Sequence, residues 1–519
     1  MMDRPSCQDE ALAFLERLPS DDAVRPEVKR IDTHANIVFL VGSLAYKVKR
    51  AVTFPFLDYS TLALREDACK AEISFNKPNA PQIYREALPI TREADGSLQL
   101  NGSGAPIEWV IQMNRFERAQ ELDVIAEDAV IEDPLSKDLA DMMVRAHADA
   151  PLRDGQGFYD ELATYVEQND VAFREHPELF PAERVRHLTE TSRSVLSTIH
   201  ELILLRGEHG LIRRCHGDAH LRNIVMIEDH PVLFDAVEFS DAIATGDVLY
   251  DLAFLLMDLW ERGQRRAANR VFNRYLDTSP SGLHAEGLAA LPFYLMMRAA
   301  IRSKIAASSA QNQADPAQKA AQQELAKTYF DYALAFLDPS QPKLIAIGGF
   351  SGTGKTTLAY DIAPELGRAP GARVLRTDVA RKRRLNIAEL ETAPASAYTL
   401  EASQSIYKEL DASIQSILSA GHSAIYDAVF AAESERKTVQ SVAAHVEADF
   451  QGLWLTAPRD TLLARVAARA GDASDATADV VEKQLGYDLG QMSWAIVEAG
   501  GTGAATARNA REILTPASV

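Results

Sequence analysis

Apolar and polar positions first alternate along this chain and then fall into a helical period. Asn36 to Val41 and Leu44 to Lys49 are apolar, β-rich runs joined by Gly42-Ser43, which predicts a hairpin. A short helix over 11–17 precedes them. From Ser60, placed to cap, the spacing predicts a helix through Asn76. Strands are expected at 83–90 and 108–115, with Gln112-Met113-Asn114 as the exit from a small, mainly antiparallel lobe. Beyond Pro134 the period is helical over 134–150, 156–174, 181–206, 247–276 and 286–336. The Ala- and Gln-rich stretch from Ala310 to Gln323 reads as exposed helix and loop. Asp338-Pro-Ser-Gln-Pro342 has the composition of a linker. After it, strands at 344–347, 373–375, 423–426 and 448–455 alternate with helices, the first over 357–366, which predicts a parallel α/β sheet.

No internal repeat relates the two halves, so they are different domains. The expected boundaries are 1–338, with a small lobe over about 30–115 and a helical lobe over about 116–338, and then 343–519. The 519 residues, 47% hydrophobic and 25% charged, suit a folded protein of two or three domains. A formal net charge of −20 argues against general nucleic-acid binding, because it repels phosphate backbones. Cys7, Cys69 and Cys215 form no close pair, so neither a disulfide framework nor a zinc site is expected. The first twenty residues lack a signal-peptide pattern, and apolar stretches such as Leu252 to Leu259 are too short to span a bilayer. A cytoplasmic protein without membrane contact is therefore expected. The oligomeric state stays open.

The first candidate chemistry is His216-Gly-Asp218-Ala-His220-Leu-Arg-Asn223, followed by Val232-Leu-Phe-Asp235. Asp218 and Asn223 have the spacing of a kinase catalytic loop. There an Asp accepts a hydrogen bond from the attacking hydroxyl and an Asn reaches magnesium. Asp235, at the end of a strand, adds a second hard oxygen ligand. Such a site also needs a small-lobe lysine with a helix glutamate. Lys47 and Lys49 lie on the same strand face; Lys47 is preferred, with Glu72 as partner. These motifs resemble the aminoglycoside phosphotransferase family over residues 30–310. The resemblance implies a two-lobed α+β kinase-like fold, Asp218 as catalytic base, and Asn223 and Asp235 as magnesium ligands. It also implies that His220 orders the loop and that Asp247 and Asp251 have structural roles. The chain departs from protein kinases in lacking a G-x-G-x-x-G loop, which argues against a protein substrate.

The second is Gly349-Phe-Ser351-Gly352-Thr353-Gly354-Lys355-Thr356-Thr357, a complete Walker A loop between an apolar strand and a helix. Its backbone N–H groups are expected to surround phosphates, with Lys355 on the β/γ-phosphates and Thr356 on magnesium. No apolar run ending in Asp-Glu follows, as a motor-type ATPase would require. Val374-Leu-Arg-Thr-Asp378 with Arg381 and Arg384, the strand ending at Asp427, and Arg459, Arg465 and Arg469 instead resemble small P-loop kinases. That resemblance implies Asp378 as the acceptor base, Asp427 as a metal ligand and the alternative base, and Arg465 and Arg469 as lid arginines at the nucleotide. Arg381 and Arg384 are placed either to grip an anionic acceptor or to be solvated.

The combined expectation is a bifunctional fusion of an aminoglycoside phosphotransferase-like domain with a P-loop kinase-like domain. It would use ATP and Mg2+ to phosphorylate hydroxyl groups of small molecules such as a sugar, amino sugar, polyol or aminoglycoside-like compound. The alternative is one catalytic half with a nucleotide-sensing, regulatory or toxin/antitoxin-like partner half. The acceptors, the coupling of the halves and the choice of ATP over GTP are not legible in the sequence.

Overall fold

The computed structural model describes residues 7–20, 27–54, 57–279, 283–468, 471 and 473–514. The described chain packs as two compact units. One comprises residues 1–161 and 207–258, the other 162–206 and 259–519. Helices at 162–206 and 259–337, which the sequence reading assigns to the first domain, thus group in one compact unit with the P-loop half.

In the first unit, six strands form an antiparallel sheet in the order Lys29–Asp32, Asn36–Val41, Leu44–Lys49, Ala105–Asn114, Tyr84–Arg92, Leu98–Leu100. The hairpin at Gly42 forms as expected, with Lys47 opposite Val38. The two outer strands, Lys29–Asp32 and Leu98–Leu100, were not expected; they are short, and the first is exposed along its length. Leu44–Lys49 pairs on both sides and is buried from Ala45 onward, so both lysines lie in the interior. The helix Leu62–Asn76 buries Arg65, Cys69, Glu72 and Asn76, positions four, three and four apart on one face. Its cap is Thr61, not Ser60: the Thr61 hydroxyl accepts the Leu64 N–H at 3.3 Å. After the strand Ile212–Arg214 comes the 215–223 loop, then a hairpin of Ile224–Ile227 and His230–Leu233 that delivers Asp235.

In the second unit, five parallel strands run in the order Arg373–Arg376, Ala424–Asp427, Lys343–Gly349, Asp449–Thr456, Ala495–Glu498. The last strand was not expected; of its four residues only Val497 is buried, whereas Arg373–Arg376 and Ala424–Asp427 are buried throughout. The helix expected over 286–336 is two, Leu291–Gln311 and Pro316–Leu337. Pro316 starts the second, and Asp315 caps it by accepting the Ala317 N–H at 2.9 Å. The expected 247–276 helix also divides, into Val248–Glu261 and Arg265–Thr278. Gly263 between them has φ +75°, a left-handed conformation that ends a helix. Likewise 181–206 divides into Ala182–Thr198 and His200–Glu208. Among the described residues, no helix is long and apolar enough to cross a membrane.

The outer strand Arg373–Arg376 would expose a row of backbone groups on its free edge. Buried asparagines of Arg265–Thr278 cover that edge. Asn273 Oδ1 accepts the Val374 N–H at 2.7 Å, and Asn273 Nδ2 donates to the Ala372 carbonyl at 3.2 Å. Asn269 Nδ2 donates to the Ala372 and Pro370 carbonyls at 3.0 and 3.1 Å. Arg373 donates back to the Asn273 carbonyl at 3.1 Å and pairs with Asp277. Asn273→Ala should leave the Val374 N–H buried without this acceptor, at a cost of about 1–3 kcal/mol. Denaturant unfolding should show the loss, and Leu410→Ile as a conservative core change should not match it.

Candidate functional site

The first constellation brings together the residues expected at the kinase-like site. Lys47 Nζ donates to Glu72 Oε1 at 2.9 Å and to Asp235 Oδ1 at 2.6 Å. Lys49 pairs with the other Glu72 oxygen and with Glu238. Glu72 therefore serves both lysines, but only Lys47 is bonded to Asp235. Burial opposes the charge on Lys47, yet the Asp235 and Glu72 carboxylates outweigh it and hold its pKa well above the usual lysine range. Burial likewise opposes ionisation of Asp235, and Lys47 with Lys49 overrides this, so that its pKa is lowered. Asp235 has φ +63°, a left-handed conformation that Asp tolerates better than most residues. Its N–H donates to the Tyr84 hydroxyl at 3.1 Å, and the next N–H, of Ala236, donates to Asn76 Oδ1 at 2.7 Å.

The catalytic-loop candidates are also neighbours. Asn223 Nδ2 donates to the Asp218 carbonyl at 2.9 Å and to its Oδ2 at 3.0 Å. With its NH2 so engaged, Asn223 has its carbonyl oxygen for a cation. His220 Nε2 lies 3.4 Å from Asp218 Oδ2, and its ring meets Phe254 edge-on at 5.2 Å. Asp251 anchors the loop by accepting the N–H groups of Gly217 at 2.9 Å and His216 at 3.3 Å, and it meets His147 Nε2 at 3.0 Å. Asp258 accepts the Leu221 N–H at 2.9 Å. His216 Nε2 is 2.9 Å from the Phe234 carbonyl, and the Asp218 N–H points to His216 Nδ1 at 3.3 Å. Those partners fit a neutral ring with its proton on Nε2. Burial lowers the His216 pKa, consistent with that form.

The P-loop joins the central strand Lys343–Gly349 to the helix Lys355–Ile362. Gly349, Gly352 and Gly354 all have positive φ. A Cβ would stand 2.7 Å from the Leu455 carbonyl oxygen at Gly349 and 2.7 Å from that of Leu462 at Gly352, so side chains are excluded there. Lys355 Nζ donates to the carbonyls of Gly349 at 2.9 Å and Phe350 at 3.1 Å. Thr353 closes the turn by donating to the Phe350 carbonyl at 2.8 Å, and the Ser351 N–H donates to Gln484 Oε1 at 2.7 Å. Thr356 Oγ1 donates to Asp427 Oδ2 at 2.5 Å, which joins the two expected magnesium residues. Burial raises the Asp427 pKa against the lowering pull of Lys355 and Arg376. Thr357, with Thr353, Gly354 and Arg465, lines a cavity of about 190 Å³ beside the loop.

The acceptor-side residues divide. Arg381 Nη1 donates to Asp378 Oδ1 at 2.9 Å, and its guanidinium lies 4.4 Å from the centre of the Tyr398 ring. The Asp378 charge adds to the rise in the Asp427 pKa. Arg384 instead donates to Ser405. Asp475 ties its segment to the acceptor side by accepting from Lys382 Nζ at 3.0 Å and the Tyr398 hydroxyl at 2.5 Å. Arg465 donates to the carbonyls of Gly352 at 3.3 Å, Ala499 at 2.8 Å and Gly501 at 2.6 Å, tying the P-loop to the 499–501 turn. Arg459 pairs with Glu482 on the surface. Arg469 lies outside the described residues.

Residues 103–294 match the family model described as the phosphotransferase enzyme family, and residues 344–487 match that described as an AAA domain. The chain joins a kinase-like phosphotransferase region to a P-loop kinase-like region. The chain is 28% identical over 477 residues to an uncharacterized protein of Mycobacterium tuberculosis, covering 88% of this chain and 90% of that one. An uncharacterized protein of Mycobacterium bovis matches to the same extent. Among solved structures, it is similar to a choline/ethanolamine kinase family protein from Mesorhizobium loti at 15% identity and a TM-score of 0.36, covering 64% of this chain and 99% of that one. A gluconokinase from Sinorhizobium meliloti 1021 is similar at 18% identity and a TM-score of 0.25, over 33% of this chain and 89% of that one.

Glu238, Tyr84, Asn76 and Asp258 were not singled out from the sequence, nor were Arg376 and Gln484 in the P-loop half. Only Glu238 had a signal, since two lysines on one strand face require more than one carboxylate when both are buried. Arg376 Nε lies 3.7 Å from Asp427 Oδ2.

The buried histidines set a pH dependence. The pKa of His216 is lowered from 6.5, and burial with Arg368 nearby pushes that of His422 down to about 3. The unfolded chain therefore takes up these protons first, and stability falls as pH drops below about 6.5. Above that pH both states are neutral and the contribution vanishes. Thermal unfolding from about pH 7.5 to about pH 5 should show the decline. His216→Gln should start less stable and lose less over the same interval.

Proposed function

We propose that the protein is an ATP- and Mg2+-dependent phosphotransferase with two nucleotide sites, acting on hydroxyl groups of small molecules. The observation that carries this reading is the Lys47–Asp235 ion pair, which joins the small-lobe lysine to the metal-binding candidate across 188 positions of sequence. In the first site, Asn223 and Asp235 offer hard oxygens to magnesium, which would neutralise phosphate charge when bound. Lys47, held protonated, serves the α/β-phosphates. Asp218 accepts the proton of the acceptor hydroxyl while the hydroxyl oxygen bonds to the γ-phosphorus and the bond from the γ-phosphorus to the β,γ-bridging oxygen breaks, that oxygen leaving with ADP. The products are a phosphate ester and ADP, with the proton on Asp218 passing to solvent.

In the second site, the glycine-rich backbone and Lys355 hold the phosphates, and Thr356 with Asp427 supports the cation. Asp378, oriented by Arg381, takes the acceptor proton. Arg465 shapes the wall of the nucleotide site through the 499–501 turn. A sugar, amino sugar, polyol or aminoglycoside-like acceptor suits either site chemically. Metal-binding candidates in both halves, Asn223 with Asp235 and Thr356 with Asp427, favour two catalytic halves over one catalytic and one sensing half.

ATP consumption measured against a panel of sugars, polyols, nucleosides and aminoglycosides tests this reading. Asp218→Asn should lower turnover with first-site acceptors by about 10²–10⁴-fold while ATP affinity there is kept. Lys355→Ala should abolish ATP binding at the second site alone, so calorimetry should fall from two sites to one. A single ATP site in the wild-type chain, unchanged by Lys355→Ala, would contradict the two-site reading.

A further inference from the structure

Apart from the P-loop, the second unit contains a cavity of about 590 Å³, within the usual range for small-molecule sites. Neither Asp378, Arg381, Asp427 nor any P-loop residue lines it; Arg376, 3.7 Å from Asp427, is the lining residue that also faces the proposed phosphoryl-transfer site. Four arginines line it: Arg373 and Arg376 from the outer strand, and Arg383 and Arg384 from the helix Thr377–Arg384. The carboxylates lining it are Asp277 and Glu409. Its lining thus holds more arginines than carboxylates. Its floor is apolar, with Leu276, Leu288, Leu375 and Leu410.

We propose that this cavity binds a small organic phosphate, with the phosphate on Arg383 and Arg384 and the organic body on the apolar floor. The four arginines are not equivalent. Arg373 is buried and committed to Asp277 and Asn273. Arg376 is buried between Glu389 and Asp427, each at 3.7 Å. They contribute field more than contact. Arg383 and Arg384 are exposed, at the mouth. Arg383 donates to Glu409 at 3.1 Å and Arg384 to the Ser405 hydroxyl. Exposed bonds of this kind are worth at most about 1 kcal/mol, so a phosphate dianion can displace them. Basic residues in a last helical turn are common for the helix dipole alone. The dipole does not, however, explain why two further arginines and an apolar floor share one hollow with them. Arg373, Arg376 and Arg383 each face a carboxylate, whereas Arg384 has a neutral partner, so a phosphate held by Arg383 and Arg384 together gains two charge-assisted donors.

The test uses full-length protein carrying Lys355→Ala, without magnesium, with phenyl phosphate and inorganic phosphate as calorimetric probes. Phenyl phosphate should bind saturably at one site, about tenfold tighter than inorganic phosphate because its ring is buried. Adding Arg383→Gln with Arg384→Gln should weaken it about tenfold or more. Ser413→Glu, which places a carboxylate at the cavity wall and keeps every arginine, should weaken it as well. No saturable binding of phenyl phosphate, or binding unchanged by both alterations, would overturn the proposal. Equal affinity for the two probes would overturn the role of the apolar floor. The P-loop phosphoryl-transfer reading stands or falls separately, because the parent protein already lacks Lys355.

Discussion

Two buried ammonium groups on one strand face are the constraint around which the first unit is organised. Lys47 and Lys49 both point into the interior because Leu44–Lys49 is paired on both sides. A buried charge without a partner costs several kcal/mol, so each lysine requires carboxylates within reach. Glu72 supplies one oxygen to each, and Asp235 and Glu238 supply the rest. This requirement draws the helix Leu62–Asn76 and the segment after Leu233 onto the same strand. Tyr84 and Asn76 then accept the backbone N–H groups at the turn that presents Asp235. The charge arrangement needed for structure is the one a phosphate-binding site uses.

The P-loop unit solves the same difficulty mostly with backbone. Its glycines adopt conformations closed to side chains, and carbonyl groups hold Lys355 at the loop. Asp427 is buried, and the Thr356 hydroxyl, Lys355 and Arg376 offset the cost of its charge. Arg376 also faces Glu389, which Arg274 holds at 2.5 Å. The metal-binding candidate thereby belongs to a ladder of alternating charges that reaches the helix Arg265–Thr278. Along the same helix, asparagines satisfy the outer strand and keep it from offering a free edge.

The motifs were legible because they are local. His216 to Asn223 and Gly349 to Thr356 have spacings set by one loop each, and the chain within a loop fixes which groups can meet a phosphate. The hairpin at Gly42 and the parallel strands were legible for the same reason, through alternation and apolar runs. The short strands Leu98–Leu100 and Ala495–Glu498 were not, since both bury little of their surface and so carry no long apolar run. The long helical stretches were read as continuous because Gly263 and Pro316 act as breaks only where packing lets the chain turn.

What the sequence by itself determined is the pair of phosphate-handling loops and the class of fold around each. Tertiary structure alone decided which lysine meets Asp235, because alternation puts Lys47 and Lys49 on one face and only the arrival of the 234–238 segment distinguishes them. It also separated Arg381 from Arg384. Three positions along a short helix, one joins Asp378 and the other turns to Ser405 and the arginine-lined cavity. A side chain's partner depends on what packs against its element, and that information lies far away in the chain.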